Sequence, residues 1–279
     1  MMSLLGAPFP GEGPACISCL APARLTRMKI VRFAVQSKTL YGVLSGDRVR
    51  AIAGRPFRLV KMTGATYSLR DVRLLAPCVP SKIVALGVNY RSHADEMKSQ
   101  LPKVPLIFIK PPTTVIGPED TIIYPPSSKQ VDYEGELGVV IKKKAKNVAE
   151  SQAADFILGY TCLNDVTARD LQRTDGQWTR GKGFDTFAPM GPCIETKLDP
   201  TDVPIEVYLN GKLVQEGSTR DLVYGVNRLV SFISEVMTLL PGDVIATGTP
   251  GGVGPMQPED TVELKIAPIG TLRNYVART

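Results

Sequence analysis

VDYEGELGVV, residues 131–140, sets Glu134 and Glu136 one residue apart inside a run that otherwise reads as a buried β-strand. In a strand, positions i and i+2 face the same side. Both carboxylates therefore project together, among Leu137, Val139 and Val140. Two like charges buried side by side repel, and desolvation costs several kcal/mol for each. A divalent cation between them would offset that cost. An edge strand with both acids in water is the competing explanation.

A third acid bears on the choice. Asp165 ends ILGYTCLND, an apolar strand leading straight into VTARDLQ, a helix-compatible stretch. A carboxylate there can serve a site, or simply cap the helix. Three carboxylates completed by water suit a hard ion such as Mg²⁺ or Mn²⁺. Zinc is disfavoured, because the chain has a single histidine and scattered cysteines. That histidine, His93, lies in NYRSHADEM with Glu96 three residues on, so a helix would place the two side by side. A carboxylate beside an imidazole fixes its tautomer and makes a general base. An exposed histidine on a polar helix is the plainer alternative.

The totals describe an ordinary globular chain: 279 residues, 43% hydrophobic and 22% charged. No apolar run approaches the eighteen or so residues of a membrane span. LVSFISEVMTLL (229–240) is short and broken by Ser and Glu. Five cysteines, an odd and dispersed set, point to free thiols in a reducing compartment, hence the cytoplasm. Cys16 and Cys19 form one CxxC, but no second pair of zinc ligands lies near, and the surrounding Pro, Gly and Ala do not suit a redox motif. The net charge of +6 is uneven: residues 1–80 hold 12 Lys and Arg against 3 Asp and Glu, the remainder 21 against 24. The basic part has no interleaved aromatics and no nucleic-acid motif, so a solvated surface explains it, as an exposed turn explains KKKAK (142–146). Neither a nucleic acid nor a membrane is expected as a partner.

Residues 1–27 are rich in Pro, Gly and Ala and lack a signal-peptide pattern; a flexible extension is expected there, with the ordered fold opening near Met28. Residues 28–79 read as a small β-rich domain whose opening, MKIVRFAVQSKTLYGVLSGDRVRAIA, holds three strands separated by polar turns; LLAPCVPSK (74–82) then links it to a larger unit over 80–279. In the larger unit, KIVALGVNY, LIFIK, VDYEGELGVVIK, ILGYTCLND and DVIATG read as strands. IEVYLNGKLVQEG is a hairpin turning at Asn210–Gly211, and two strands close the chain. RSHADEMKSQ, SQAADFI, VTARDLQRT and a stretch within 218–240 read as helices. The class is α+β, mostly β.

GVNYRSHADEM (87–97), FIKPPTTVIGP (108–118), VDYEGELGVVI (131–141), GYTCLNDVTARDLQ (159–172), GKGFDTFAPMGP (181–192), LNGKLVQ (209–215) and GDVIATGTPGGVGP (242–255) together resemble the fumarylacetoacetate hydrolase family in its smaller bacterial form. Seven motifs in family order over residues 80–279 are a specific signal. The resemblance implies a rolled β-sheet around a central divalent metal, Mg²⁺ or Mn²⁺ (Ca²⁺ in some crystals), and a homodimer. It places the metal ligands on Glu134, Glu136 and Asp165, a His–Glu pair of a mobile lid on His93 and Glu96, and an active-site lysine on Lys182. Substrate contacts fall on Arg169, Gln172 and Thr249. The implied substrate is a small anionic 2-oxo acid. The implied activity is metal-dependent hydrolysis of a C–C bond in a 2,4-dioxo acid (an acylpyruvate such as fumarylpyruvate) through a metal-stabilised enolate, with water activated by His93 and an oxyanion met by Lys182. Oxaloacetate decarboxylation, isomerisation or tautomerisation of a 2-hydroxydienoate, and a catalytically silent metal-binding protein are the alternatives.

Overall fold

A computed structural model describes residues 27–278 except 59, 97 and 99. The CxxC of Cys16 and Cys19, and all of the expected extension but Arg27, lie outside the described residues.

The fold is α+β and mostly β. Among the described residues the strands form one large sheet and two small ones. The spine of the large sheet is Gly135–Ile141, an antiparallel neighbour of both Ile157–Asn164 and Val244–Ala246. Beyond Val244–Ala246 come Ile83–Leu86, paired in parallel, and Ile107–Lys110 at the edge. Every residue of Gly135–Ile141 is buried, as a strand covered on both faces requires. The N-terminal strands Lys29–Val35, Lys38–Ser45, Arg48–Ile52 and Met62–Ser68 run as an antiparallel meander. They join the same sheet, because Lys29 and Ile30 pair with Glu195 and Ile194 of the strand Ala188–Glu195. Arg27 pairs with Glu195 at 3.0 Å beside that junction.

The VDYEGELGVVIK run is two strands rather than one. Val131–Tyr133 belongs to a small sheet with Thr167–Ala168 and Gly254–Met256, and Gly135–Ile141 to the large one. The chain changes sheets at Glu134. There the backbone donates to side chains instead of a ladder: Glu134 N–H to Asn164 Oδ1 (2.9 Å) and Gly135 N–H to Gln215 Oε1 (3.0 Å). A side chain on Gly135 would come within 2.5 Å of Val207, so the crossing needs glycine. The third sheet contains the Asn210–Gly211 hairpin, Pro204–Leu209 with Lys212–Ser218, and the closing strands Thr261–Ile266 and Gly270–Arg278. Both turn residues have positive φ (52° and 77°), the conformation an Asn-Gly hairpin turn demands. Asp243 ties the entry of Val244–Ala246 to that of Ile83–Leu86. Its carboxylate accepts from Ser81 N–H and Oγ–H, both Lys82 donors and Leu240 N–H.

The helices are short. Val226–Val236, the longest, packs its apolar side on the core through Leu229, Val230 and Ile233. Among the described residues no helix is long and apolar enough to cross a membrane.

Candidate active site

Three chain segments deliver the acids to one place. Glu134 comes from the crossing between sheets, Glu136 from the second residue of Gly135–Ile141, and Asp165 from the residue after Ile157–Asn164. Pairing of those two strands sets Gly135 opposite Asn164, which brings Asp165 alongside Glu134; Asp165 N–H donates to Glu134 C=O at 2.9 Å. All three acids are buried, and one oxygen from each lies within 4.8 Å of the others. Asp165 does not act as a helix cap, since a short strand, Thr167–Ala168, separates it from the helix Arg169–Asp175.

Cations surround the acids unevenly. Lys182 Nζ donates to Glu134 Oε2 (2.9 Å) and Asp165 Oδ2 (2.6 Å). Lys110, wholly buried, donates to Asp165 Oδ1 (2.5 Å) and Val166 C=O (3.1 Å). Arg169 reaches Asp132 Oδ2 (2.8 Å), Glu134 Oε1 and Gln172 Oε1 (2.7 Å). Glu136 has none of these: its Oε2 accepts Gly248 N–H (2.7 Å), and its Oε1 is buried without a partner. The electrostatics follow. Burial alone would raise Glu134, but Lys182 and Arg169 outweigh it and hold the carboxyl far below the ordinary range. Burial, then the charges of Asp165 and Glu134, push Glu136 well above it. Burial lowers Lys110, with Asp165 resisting, whereas at Lys182 the pull of Asp165 and Glu134 overcomes burial and raises it. A hard divalent ion fits this donor set: three carboxylates converge, and one buried oxygen still lacks a counter-charge.

His93 lies on the helix Arg91–Glu96, which follows Tyr90. His93 is buried, with Nδ1 3.4 Å from Glu96 Oε2. Glu96 also accepts Gly252 N–H (3.1 Å), and Ser92 Oγ accepts Gly251 N–H (3.1 Å). The helix is thus docked on the loop after Val244–Ala246 through these two backbone amides. That loop needs its glycines: Gly248 and Gly252 have φ of +95° and +97° while presenting N–H groups to Glu136 and Glu96. A cavity of about 220 Å³ opens over the acids. His93, Glu134, Arg169, Gln172, Arg173, Lys182 and Trp178 line it, with an apolar side of Leu86, Gly87, Val88 and Phe108.

A family model described as fumarylacetoacetate (FAA) hydrolase C-terminal matches residues 82–277. The chain belongs to the fumarylacetoacetate hydrolase family. A second model, described as Rv2993c-like, N-terminal, matches residues 28–77. A 5-carboxymethyl-2-hydroxymuconate delta-isomerase from Mycobacterium smegmatis shares 47% identity at a TM-score of 0.86, over 90% of this chain and 100% of that one. The oxaloacetate tautomerase YisK of Bacillus subtilis (strain 168) is 43% identical over 225 residues, 75% of each chain. A maleylpyruvate hydrolase from Sphingobium is 30% identical at a TM-score of 0.76, over 90% of this chain and 100% of that one. Members of this family include hydrolases, isomerases and tautomerases, so this chain is placed among enzymes.

Of the nine residues singled out in the sequence, His93, Glu134, Arg169, Gln172 and Lys182 line the cavity, Glu136 and Asp165 join Glu134 in the acidic cluster, and Glu96 is held against His93. Thr249 stays outside. Its hydroxyl donates to Gly135 C=O (2.9 Å) and accepts from Gln215 Nε2 (2.8 Å), which braces the sheet crossing. Lys110, Asp132 and Arg173 belong to the site and were not singled out. Lys110 carried a readable signal, a lysine closing an apolar strand just before two prolines; Arg173 is one helical turn from Arg169.

Proposed function

We propose that this protein moves a proton at the carbon beside the keto group of a small 2-oxo acid, interconverting keto and enol forms, as an isomerase or tautomerase does. The observation that carries the reading is one cavity lined by a buried histidine on a glutamate and by Lys182, above a three-carboxylate cluster. Glu134, Glu136 and Asp165 would hold a hard divalent ion, Mg²⁺ or Mn²⁺, which would supply Lewis-acid charge to the reaction. The remaining work falls to the chain's own groups. Glu96 holds His93 through Nδ1, which leaves Nε2 to take a proton from carbon and return it. The Lys182 ammonium, buried at the cavity wall, adds positive charge where the keto oxygen becomes anionic. Leu86, Val88 and Phe108 keep the reacting carbon away from bulk water.

Hydrolysis of a C–C bond in an acylpyruvate, the activity first expected, ranks second. It is favoured by the same His93–Glu96 pair, which could activate water instead, and by the likeness to a maleylpyruvate hydrolase. Tautomerisation ranks first because the named isomerase and tautomerase are the nearer relatives, at 47% and 43% against 30%. The test follows oxaloacetate enol by its ultraviolet absorbance, and pyruvate release in parallel to register decarboxylation, with Mg²⁺, Mn²⁺ or EDTA; acetylpyruvate reports hydrolysis. We expect metal-dependent enol–keto interconversion that His93→Asn removes. An enol signal indifferent to enzyme and metal, with acetylpyruvate cleaved, would replace the first reading with the second.

A further inference from the structure

A second cavity, of about 540 Å³, opens at the N-terminal end of the helix Val226–Val236 and shares no lining residue with the one over the acids. Gly225, Val226, Asn227 and Arg228 form that end of it. The first turn of an α-helix leaves its amides without intrahelical acceptors, and a cap side chain or a nearby acid usually meets them. Neither is present here: the cap residue is Gly225, and the first turn holds no acidic residue. Leu229 N–H donates to Gly225 C=O at 3.1 Å, whereas the amides of Val226, Asn227 and Arg228 have no partner among the described residues.

Tyr160 points independently to a ligand. It stands on the strand Ile157–Asn164, is only 7% exposed, and lines the same cavity. A buried phenol normally finds a hydrogen-bond partner, yet this hydroxyl has none among the described residues. Protein does not seal it off, and the cavity is the space it opens to. Burial, then the charge of Asp199, push the phenol up, so it stays a neutral donor. Arg228, half-buried with its guanidinium 5.7 Å from the centre of the Phe232 ring, adds a cation without a carboxylate partner among the described residues.

A ligand entering here meets a group of unused donors at the positive end of a helix, which a carboxylate answers. The exposed edge of the cavity carries the opposite sign. Glu150 and Asp199 lie there, the latter accepting Thr201 N–H (3.0 Å) and Oγ–H (2.7 Å). They oppose a second negative charge, while Leu198, Pro200 and Leu222 offer apolar contact.

We propose that this cavity binds a small monocarboxylic acid, its carboxylate on the amides of residues 226–228 and the Tyr160 hydroxyl, and the rest of the molecule uncharged or cationic. The site does not depend on the reaction class given above. Its test follows backbone amide shifts of the deuterated full chain by NMR, with Mg²⁺ present, on titration with 4-methylpentanoate, leucine and inorganic phosphate. The shifted residues report which cavity fills, so binding over the acidic cluster is read separately. Saturable shifts at residues 226–229 are expected with both acids, and phosphate should bind at least about tenfold more weakly. Tyr160→Phe removes a hydroxyl that has no partner in the protein, so it should melt with the wild type yet bind both acids about tenfold more weakly, the range of one hydrogen bond to a charged group. At Gly225 an added Cβ meets nothing within 4 Å, so Gly225→Asp can set the chain's own carboxylate on the same amides. That variant should melt higher than the wild type and lose affinity for both acids. No saturable shift at residues 226–229 with either acid, unchanged affinity in Tyr160→Phe or Gly225→Asp, or phosphate bound as tightly as the acids would overturn the proposal.

Discussion

Lys182→Met separates a cation that holds the acidic cluster together from one that merely lines a cavity. The Lys182 ammonium is almost wholly buried and bridges Glu134 Oε2 and Asp165 Oδ2 at 2.9 and 2.6 Å. Methionine fills similar space without charge, leaving three buried carboxylates with fewer counter-charges. Removing one partner of a buried ion pair costs about 3–5 kcal/mol. The lower end applies here, because Lys110 remains on Asp165 and Arg169 on Glu134. A loss of about 3 kcal/mol, at ~2–4 °C per kcal/mol for a chain near this size, lowers the melting temperature in EDTA by roughly 6–12 °C. A divalent ion reverses the order. An ammonium on two of the three ligand carboxylates repels an incoming cation, so the variant binds the ion at least about tenfold more tightly, ~1.4 kcal/mol. Mn²⁺ should therefore raise the variant's melting temperature by more than it raises the wild type's, by linkage. Turnover falls all the same. Melts in EDTA and in saturating Mn²⁺, with a competition titration for affinity, check each part. A variant that melts with the wild type in EDTA, or gains less from Mn²⁺, would refute the reasoning.

Other perturbations probe the groups around the cluster. His93→Asn should slow turnover by about 10²–10⁴-fold, the range for loss of a general base, while Mn²⁺ affinity stays near that of the wild type; kinetics and titration on one preparation check both. Glu96→Ala releases the Gly252 N–H as well as the imidazole, so hydrogen exchange should accelerate in residues 91–96 without a change in global stability. Gly248→Ala puts a Cβ 2.9 Å from Asn89 Cβ at a φ of +95°; about 1–3 kcal/mol of strain and weaker Mn²⁺ binding should appear in melts and titrations. Asp243→Ala, which strips five hydrogen bonds from the entry of two paired strands, should cost about 3–5 kcal/mol in denaturant unfolding. Burial would raise the Asp243 carboxyl, but its bonds to Lys82, Ser81 and Leu240 prevail and hold it below the ordinary value. Its contribution is therefore complete above the unfolded carboxylate value near ~4 and is lost as pH falls through the lower folded value. Asp243→Asn should accordingly lose stability less steeply than the wild type below about pH 4.

The metal-type cluster was legible because its signal is local: two acids at strand spacing in an apolar run, and one at a strand end. The detail of how they meet was not. Alternation predicts that Glu134 and Glu136 share the face of one strand, whereas the chain switches sheets at Glu134. Only Asn164 and Gln215, 30 and 80 residues away in sequence from the amides they cap, reveal the switch. Ala188–Glu195 escaped for a different reason. Pro189 and Pro192 argue against a central strand, yet the segment takes its neighbours from Ile157–Asn164, from Val115–Ile116 and from the N-terminal meander. Lys110 closes an apolar strand just before two prolines, but that signal does not separate a buried lysine from one that reaches water; its burial depends on Asp165, which lies 55 residues on.

The unequal treatment of the three acids explains why a chain can fold around them at all. Glu134 and Asp165 are each met by two cations from other segments, so their charge is tolerated in the folded protein before any ion arrives. Glu136 is met by one backbone amide, and burial together with its two acidic neighbours favours its neutral form. Folding therefore confronts two compensated carboxylates and one acid that can remain neutral, not three bare charges. Had all three been paired with lysine or arginine, an ion would have to displace every partner; had none been, desolvation would oppose the fold. The open oxygen of Glu136 is where a divalent charge would gain most. It projects from Gly135–Ile141, a strand of the large sheet that is buried along its whole length.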